Sequence, residues 1–326
     1  MDWISPRKLK KLGILNMNRR NVDYISRYNE RESYPLVDNK LKTKLAVSEY
    51  GVKTPELLQV VRQQHEISHF REIAEGLAGF AIKPAKGSGG KGITVITGRD
   101  GDDYVKASGA RISVAMLERH LTNILAGLYS LAGTPDVAIV EDLVQSTPSL
   151  ARYSFQGVPD IRIIIFQGYP VMAMLRLATK DSDGKANLHQ GAVGVGLDIG
   201  TGRSLNVVQF NRPITLHPDT GLALENIQID SWEDMLEMAS RCYEATGLGY
   251  MGVDLVVDTQ KGPLLLELNA RPGLAIQMAN GEGLLPRLRN IEALKRPHFS
   301  PRERVQYAMG AFGKFRQAAG HKKPEH

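Results

Sequence analysis

The chain has 326 residues, 42% hydrophobic and 23% charged, the balance of a globular protein large enough for two or three subdomains. No apolar run approaches the roughly 20 residues that a membrane helix needs, and the N-terminus shows no signal-peptide core. A single cysteine, Cys242, excludes an internal disulfide, so the expected location is a reducing cytoplasm.

The net charge of +6 is uneven. Residues 1–31 hold eight Lys/Arg against three acids and residues 295–326 hold eight against two, leaving 25 basic and 30 acidic residues between them. Such ends suit an anionic partner, but the blander reading, solvated arms, is the expectation here.

In chain order, Ser5-Pro6 predicts a short basic helix ending at Gly13, and residues 18–28 predict a second. Asp38 is expected to cap a helix over 39–50, with Leu41 and Leu45 as its apolar face. A charged helix is predicted over about 60–77. It contains His65-Glu66-Ile67-Ser68-His69, the H-E-x-x-H spacing of zinc proteases. Glu72 and Glu75 stand where the glycine and third histidine of the longer motif belong, so a plain surface helix is the expectation.

A strand ending in Lys83-Pro84 comes next, followed by the loop AKGSGGKG over 85–92 and a strand over 93–97. Gly87, Gly89 and Gly92 match G-x-G-x-x-G, but a dinucleotide fingerprint needs a helix after the glycines, and here β sequence follows. Lys91 is followed by Gly92 instead of Ser/Thr, which excludes a Walker A loop. The absence of H-R-D and D-F-G argues against a protein kinase. A glycine loop between antiparallel strands reads as a flap whose backbone N–H groups close over phosphates, with Lys83 beside it. A merely flexible hairpin is the alternative.

An amphipathic helix is predicted over 113–130 and a buried strand over 137–144, running into Glu141 and Asp142. Residues 160–166 and 169–179 form a hairpin around Gly168, interrupted by Arg162 and Arg176. An arginine in a buried strand needs an anion, so each is either a phosphate or carboxylate site or half of a salt bridge. The polar loop 180–191 carries Lys185, Asn187 and His189. Strands are predicted over 193–198 and 205–210, with turn glycines, and a helix runs from Asp230-Ser231 to about Thr246.

Residues 253–273 read as two strands joined by the turn Thr259–Pro263. Strict alternation puts Glu267 and Asn269 on one face and sends Leu266 and Leu268 into a core. Asp254, expected to begin the partner strand, reaches the same face across the ladder. Two carboxylates and an amide oxygen are hard donors suited to Mg²⁺. Arg271 follows, placed to meet phosphate. The alternative is a surface hairpin with solvated acids. After Leu284 the tail reads as helical, then increasingly loose.

Several stretches stand in one order: Asp38-Asn39-Lys40, Lys83-Pro84, Gly87–Gly92, Glu141–Val144, Asp160-Ile161-Arg162, Asn187-Leu188-His189-Gln190-Gly191, Gly252-Val253-Asp254 and Glu267-Leu268-Asn269. Together, over about residues 36–290, they resemble the ATP-grasp superfamily, and within it the RimK-type α-L-glutamate ligases. The resemblance implies an α+β ATP-grasp fold, in which two α/β subdomains with antiparallel sheets sandwich the nucleotide. Residues 1–37 would be a basic helical arm in place of a full preceding domain. Residues 38–290 would be the ATP-grasp domain, with an ATP-binding subdomain at about 75–145, and 291–326 a basic tail.

It also implies roles. Lys40, Lys83 and the loop Gly87, Ser88, Gly89, Gly90, Lys91 and Gly92 would bind ATP phosphates, joined by Arg162. Glu141, Asp142, Leu143 and Val144 would form the adenine hinge, and Asp254, Glu267 and Asn269 would hold two Mg²⁺, with Mn²⁺ able to substitute. Arg176 would stabilise the transferring phosphoryl group, and Lys185 and Asn187 would face the acceptor. The implied reaction joins an amino acid such as glutamate to a carboxylate-bearing peptide, protein or small molecule. A small-molecule kinase and a non-catalytic nucleotide-binding regulator are the alternatives; a homo-oligomer is admitted as well. Arg271 stands where RimK-type enzymes usually have a small residue.

Overall fold

The strand-forming runs collect into two antiparallel sheets in a computed structural model that describes residues 5–87, 89–130, 133–297 and 300–315. The first sheet takes β1 (Leu57–Val61), β2 (Phe80–Pro84), β3 (Thr94–Asp100), β4 (Asp103–Lys106), β5 (Arg111–Ile112) and β6 (Ala138–Asp142), in the order β1-β6-β2-β3-β4-β5. Leu117, Leu121 and Ile124, spaced for one face of the helix Val114–Leu125, pack with Phe70 and Ala74 of the helix Ile67–Glu75 against Phe80, Ile82 and Val140. Phe70, Phe80 and Tyr104 meet edge to face in this core.

The second sheet takes β7 (Asp160–Phe166), β8 (Tyr169–Leu177), β9 (Val193–Leu197), β10 (Ser204–Gln209), β11 (Arg212–Pro213), β12 (Tyr250–Asp258) and β13 (Gly262–Asn269), in the order β11-β10-β9-β8-β7-β12-β13. Its central strands are near-continuous apolar runs because the helices Trp232–Thr246 and Pro301–Phe312 cover them. The two sheets are joined at residues 143–147, which run along the end of β12: Gln145 N donates to Asp258 Oδ2 at 2.8 Å, and Thr259 N donates to Gln145 O at 2.8 Å. Among the described residues no helix is long and apolar enough to cross a membrane.

The described parts of both basic ends, 5–31 and 295–297 with 300–315, correct the expectation of solvated arms; the remainder lies outside the described residues. Leu15, Tyr24, Ile25 and Val37 are buried in the second sheet's core, as are Val305, Ala308 and Phe312. Asn29 seals the N-terminal segment to β12, donating to Tyr250 O at 2.7 Å and accepting from Tyr250 N at 2.8 Å. Most of the described charge of these ends lies on the outside of segments whose apolar side chains are core, with Arg20 and Arg304 buried.

The helix after Asp38 is capped by Asn39 instead, whose side chain accepts from Lys42 N. It buries Thr43, Lys44 and Val47, while Leu45 is exposed. The helix predicted over 60–77 also divides. Val60 and Val61 belong to β1, where they pair with Ile139 and Ala138, and the helix proper is Ile67–Glu75. Glu66 of the H-E-x-x-H accepts from Arg62 N at 2.5 Å and Gln63 N at 3.1 Å, closing a capping box. Its carboxylate is committed to the backbone, and no cluster of three or more His, Cys, Asp or Glu arranged for a metal occurs among the described residues.

Candidate active site

The floor of the site comes from strand register. Asp254 lies opposite Arg162 on one side and Glu267 on the other, and Asp160 lies opposite Arg176. Asp254 does not begin its strand; β12 starts at Tyr250, and Asp254 sits mid-strand. The pairing with β13 slips between Asp254 and Leu255, leaving Leu266 as the bulged residue. The bulge breaks the alternation: Leu268 is buried as expected, but Leu266 joins Glu267 and Asn269 in lining the cleft.

Both floor arginines form salt bridges. Arg162 is bidentate on Asp254, Nε to Oδ1 at 2.7 Å and Nη2 to Oδ2 at 2.6 Å. Arg176 is bidentate on Asp160 and also reaches Asp254 Oδ2 at 2.9 Å. Burial alone would raise both carboxyls. At Asp254 the two guanidiniums overcome it and hold the carboxyl well below the usual range. At Asp160 burial wins, and the charge of Asp254 adds to it, against the pull of Arg176, so that carboxyl is raised.

Asn269 Nδ2 also donates to Asp254 Oδ2, at 3.1 Å. Three of the four donor contacts fall on Oδ2 and one on Oδ1, which leaves Oδ1 with an open lone-pair position. Glu267 has an ion pair only with Lys40, at 3.3 Å, among the described residues. The donor set nevertheless fits Mg²⁺: turning the Asn269 amide replaces its donor with an oxygen, and Asp254, Glu267 and Asn269 then present hard oxygens alone.

The opposing wall belongs to the first sheet and the helix Lys40–Ser48. Lys40 Nζ donates to Gly87 O at 2.5 Å. Lys83 Nζ donates to Glu141 Oε2 at 2.6 Å, and Lys44 Nζ lies 2.9 Å from Glu141 Oε1. Burial would raise the Glu141 carboxyl, but Lys83 and Lys44 outweigh it and hold it low. The Glu141 side chain is therefore a buried counter-ion for two lysines. Asp142 takes an ion pair from Lys261, on the turn between β12 and β13, and so ties the end of β6 to the second sheet.

The glycine loop after β2 is anchored at Gly92, where φ is +75° and a Cβ would stand 2.5 Å from the Tyr129 ring. His120 Nε2 contacts Gly92 O at 2.9 Å and Thr94 Oγ1 at 3.2 Å, and Tyr129 OH lies 3.3 Å from His120 Nδ1.

Between floor and wall lies a cleft of about 560 Å³. Lys40, Lys83, Gly89, Gly90, Arg162, Arg176, Lys185, Asn187, Asp254, Glu267 and Asn269 all line it. Glu141 and Gly87 line smaller adjoining spaces instead. Lys91, Gly92, Asp142, Leu143 and Val144 line none of these, and Ser88 lies outside the described residues. Lys185 pairs with Asp183 at 3.1 Å, and Asn187 Oδ1 accepts from His189 N at 3.0 Å, so its oxygen caps its own turn. Arg271 does not line the main cleft; its guanidinium lies 5.2 Å from the centre of the Tyr34 ring. Sequence reasoning quoted Asp160 in Asp160-Ile161-Arg162 without giving it a role, and missed Met174 and Lys44. An acid opening β7 across from Arg176 was the signal for the first, and the i, i+4 spacing from Lys40 for the last.

A profile of the sugar-transfer-associated ATP-grasp family matches residues 19–293. The chain belongs to this family. Its ATP-grasp fold is therefore the two-sheet arrangement described above, with the cleft between the sheets. No sequence among curated proteins matches the chain. Among solved structures it is similar to D-alanyl-alanine synthetase A from Vibrio cholerae (11% identity, TM-score 0.48, 86% of this chain and 66% of that one). It is also similar to the D-cycloserine synthetase DcsG (15%, 0.46, 78% and 69%) and to the ATP-grasp ligase PsnB in complex with a minimal precursor (12%, 0.42, 86% and 63%). The chain thus spans less than two thirds of PsnB. The ATP-grasp assignment stands on the family match and not on these likenesses.

Proposed function

We propose that the chain is an ATP- and Mg²⁺-dependent ligase that joins a carboxylate to an amine through an acylphosphate, releasing ADP. The observation that carries this reading is the meeting, in one cleft, of Lys40, Lys83 and two flap glycines with Arg162, Arg176, Asp254, Glu267 and Asn269. Lys40 and Lys83 hold the nucleotide phosphates, the backbone of Gly89 and Gly90 covers them, and the hinge 141–144 receives the adenine through its backbone. Glu267, Asn269 and Asp254 would hold Mg²⁺, which would neutralise phosphate charge.

In the first step a substrate carboxylate oxygen bonds to the γ-phosphorus and the bond to ADP breaks. In the second an amine nitrogen bonds to the acyl carbon, the carbon–oxygen bond to phosphate breaks, and the amine proton passes to solvent. Arg176, fixed by Asp160 and Asp254, meets the phosphoryl charge without reorganising. Lys185 and Asn187 border the acceptor side. No side-chain nucleophile is required, and Cys242 is buried with its thiol pushed up by burial.

The proposed substrates are an amino acid such as glutamate and a peptide, protein or small-molecule acceptor. The family's sugar-transfer description adds saccharide-linked acceptors to that set. The test is incubation with Mg²⁺-ATP and paired amino acids, amino sugars and peptides, following ADP and product mass. ADP release with an amide product is expected; a stable phosphorylated product without an amide would replace the ligase with a kinase.

Gly92→Ala should weaken Mg²⁺-ATP binding by about tenfold, because a strained φ and the Tyr129 ring both oppose the flap's anchor. Gly98→Ala on β3, where a Cβ meets nothing within 4 Å, should bind as the wild type does. Titration calorimetry of both variants checks this.

A further inference from the structure

Arg31 and Arg271 share a pocket beside the active-site cleft, and Arg20 lies near Arg271; none of the three has an ion pair among the described residues. Arg20 is buried, yet its hydrogen bonds go to neutral acceptors: Pro272 O at 2.7 Å and Asn21 Oδ1 at 3.1 and 2.8 Å. Burial lowers the Arg20 pKa, and the nearby charge of Arg271 lowers it further. Neither Arg31 nor Arg271 has an ion pair among the described residues; Arg271 lies over the Tyr34 ring. Asp23 pairs with Arg19 at 2.9 Å and Glu292 accepts from Tyr28 OH at 2.7 Å, while Glu30 and Glu32, which flank Arg31, are exposed and form no ion pair with it among the described residues.

Arg31 and Arg271 line one pocket of about 400 Å³ with Asn21, Ser26 and Tyr34. The lining is rich in donors. Because Arg20 occupies Asn21 Oδ1, the amide's Nδ2 is left to donate, and Ser26 and Tyr34 add hydroxyls. Tyr34 and Arg271 also line a second space of about 170 Å³, whose far wall includes Lys40, Glu267 and Asn269. Those three line the main cleft in turn. The arginine pocket therefore opens, through Tyr34 and Arg271, onto the proposed metal donors.

We propose that this pocket is a subsite for a second anionic group, phosphate or carboxylate, carried by the substrate at a distance from its reacting end. Guanidiniums pair bidentately with either anion, and like charges held together in this way are relieved by binding one. Assigning the anion to the substrate rests on the ligase reading; the anion site itself does not.

The experiment titrates inorganic phosphate, and separately succinate, into the full chain with and without Mg²⁺-ADP, and repeats this with Arg31→Gln and Arg271→Gln. Both side chains are exposed, so folding is not at stake. The expected result is that at least one anion binds with Mg²⁺-ADP present and that each variant weakens it by about tenfold or more, leaving Mg²⁺-ADP binding unchanged. Preference for phosphate identifies a phosphorylated substrate, and preference for succinate a second carboxylate. The proposal is overturned if neither anion binds, if Mg²⁺-ADP abolishes the binding, or if both variants bind as the wild type does. If Mg²⁺-ADP itself does not bind while the arginine-dependent anion site persists, the ligase reading fails and the site stands.

Discussion

Asp254→Ala should lose about 3–5 kcal/mol of stability, the range for removing one partner of a buried ion pair. Asp254 is 3% exposed and is the shared anion of Arg162 and Arg176. Removing it leaves Arg162 with no ion-pair partner and Arg176 with Asp160 alone among the described residues. Against a total stability of about 5–15 kcal/mol this is a large fraction, readable as a lowered urea midpoint. Asp254→Asn keeps the shape but not the charge and should fall between. A variant as stable as the wild type would mean that the arginines find other partners and that Asp254 is a metal ligand with no structural role.

Glu141→Gln should cost about 3 kcal/mol at neutral pH, for the same reason. Lys44 and Lys83 both rely on that carboxylate, and Lys44 is buried with its pKa lowered by burial. The pH dependence has a definite sign. The folded-state pKa of Glu141 lies below its ordinary 4.5, so its contribution is complete above pH 4.5 and is lost as pH falls through the folded value. The stability gap between wild type and Glu141→Gln should therefore be widest above pH 4.5 and close on acidification. Thermal melts across pH check this; a gap that stays constant into acid would contradict the lysine pairing.

Most strands of the second sheet and β2, β3 and β6 of the first were legible because they are apolar runs bounded by Gly, Asn and Asp turns, whereas β1, β4, β5 and β11 were not, and the helix Val114–Leu125 was legible because its apolar spacing is regular. What alternation could not supply was register. The bulge at Leu266 moves one leucine from the expected core to the cleft, and a second irregularity between Ile164 and Ile165 separates the 160–176 pairing from a simple count back from the Gly168 turn. Arg162 and Arg176 read equally well as phosphate binders or salt bridges, since the choice depends on which acid the neighbouring strand brings opposite. Glu141 and Asp142 read as a hinge, but their side chains are counter-ions to Lys83, Lys44 and Lys261, one of them more than a hundred residues away. The ends misled for a different reason. Net charge describes the outside of a segment, whereas Leu15, Tyr24 and Phe312 are what fix those segments to the core.

Glu267 is the residue that separates function from folding. It is half-buried and among the described residues its ion pair is with Lys40 alone, so Glu267→Gln should melt with the wild type. The deciding measurement is the thermal shift of both proteins with Mg²⁺-ATP. A ligand at a hundredfold excess over its dissociation constant adds about 2.7 kcal/mol, which is readily seen. The ligase reading predicts a magnesium-dependent rise in the wild type that is weakened or lost in Glu267→Gln. No rise in the wild type at millimolar Mg²⁺-ATP, or an equal rise in the variant, would contradict it.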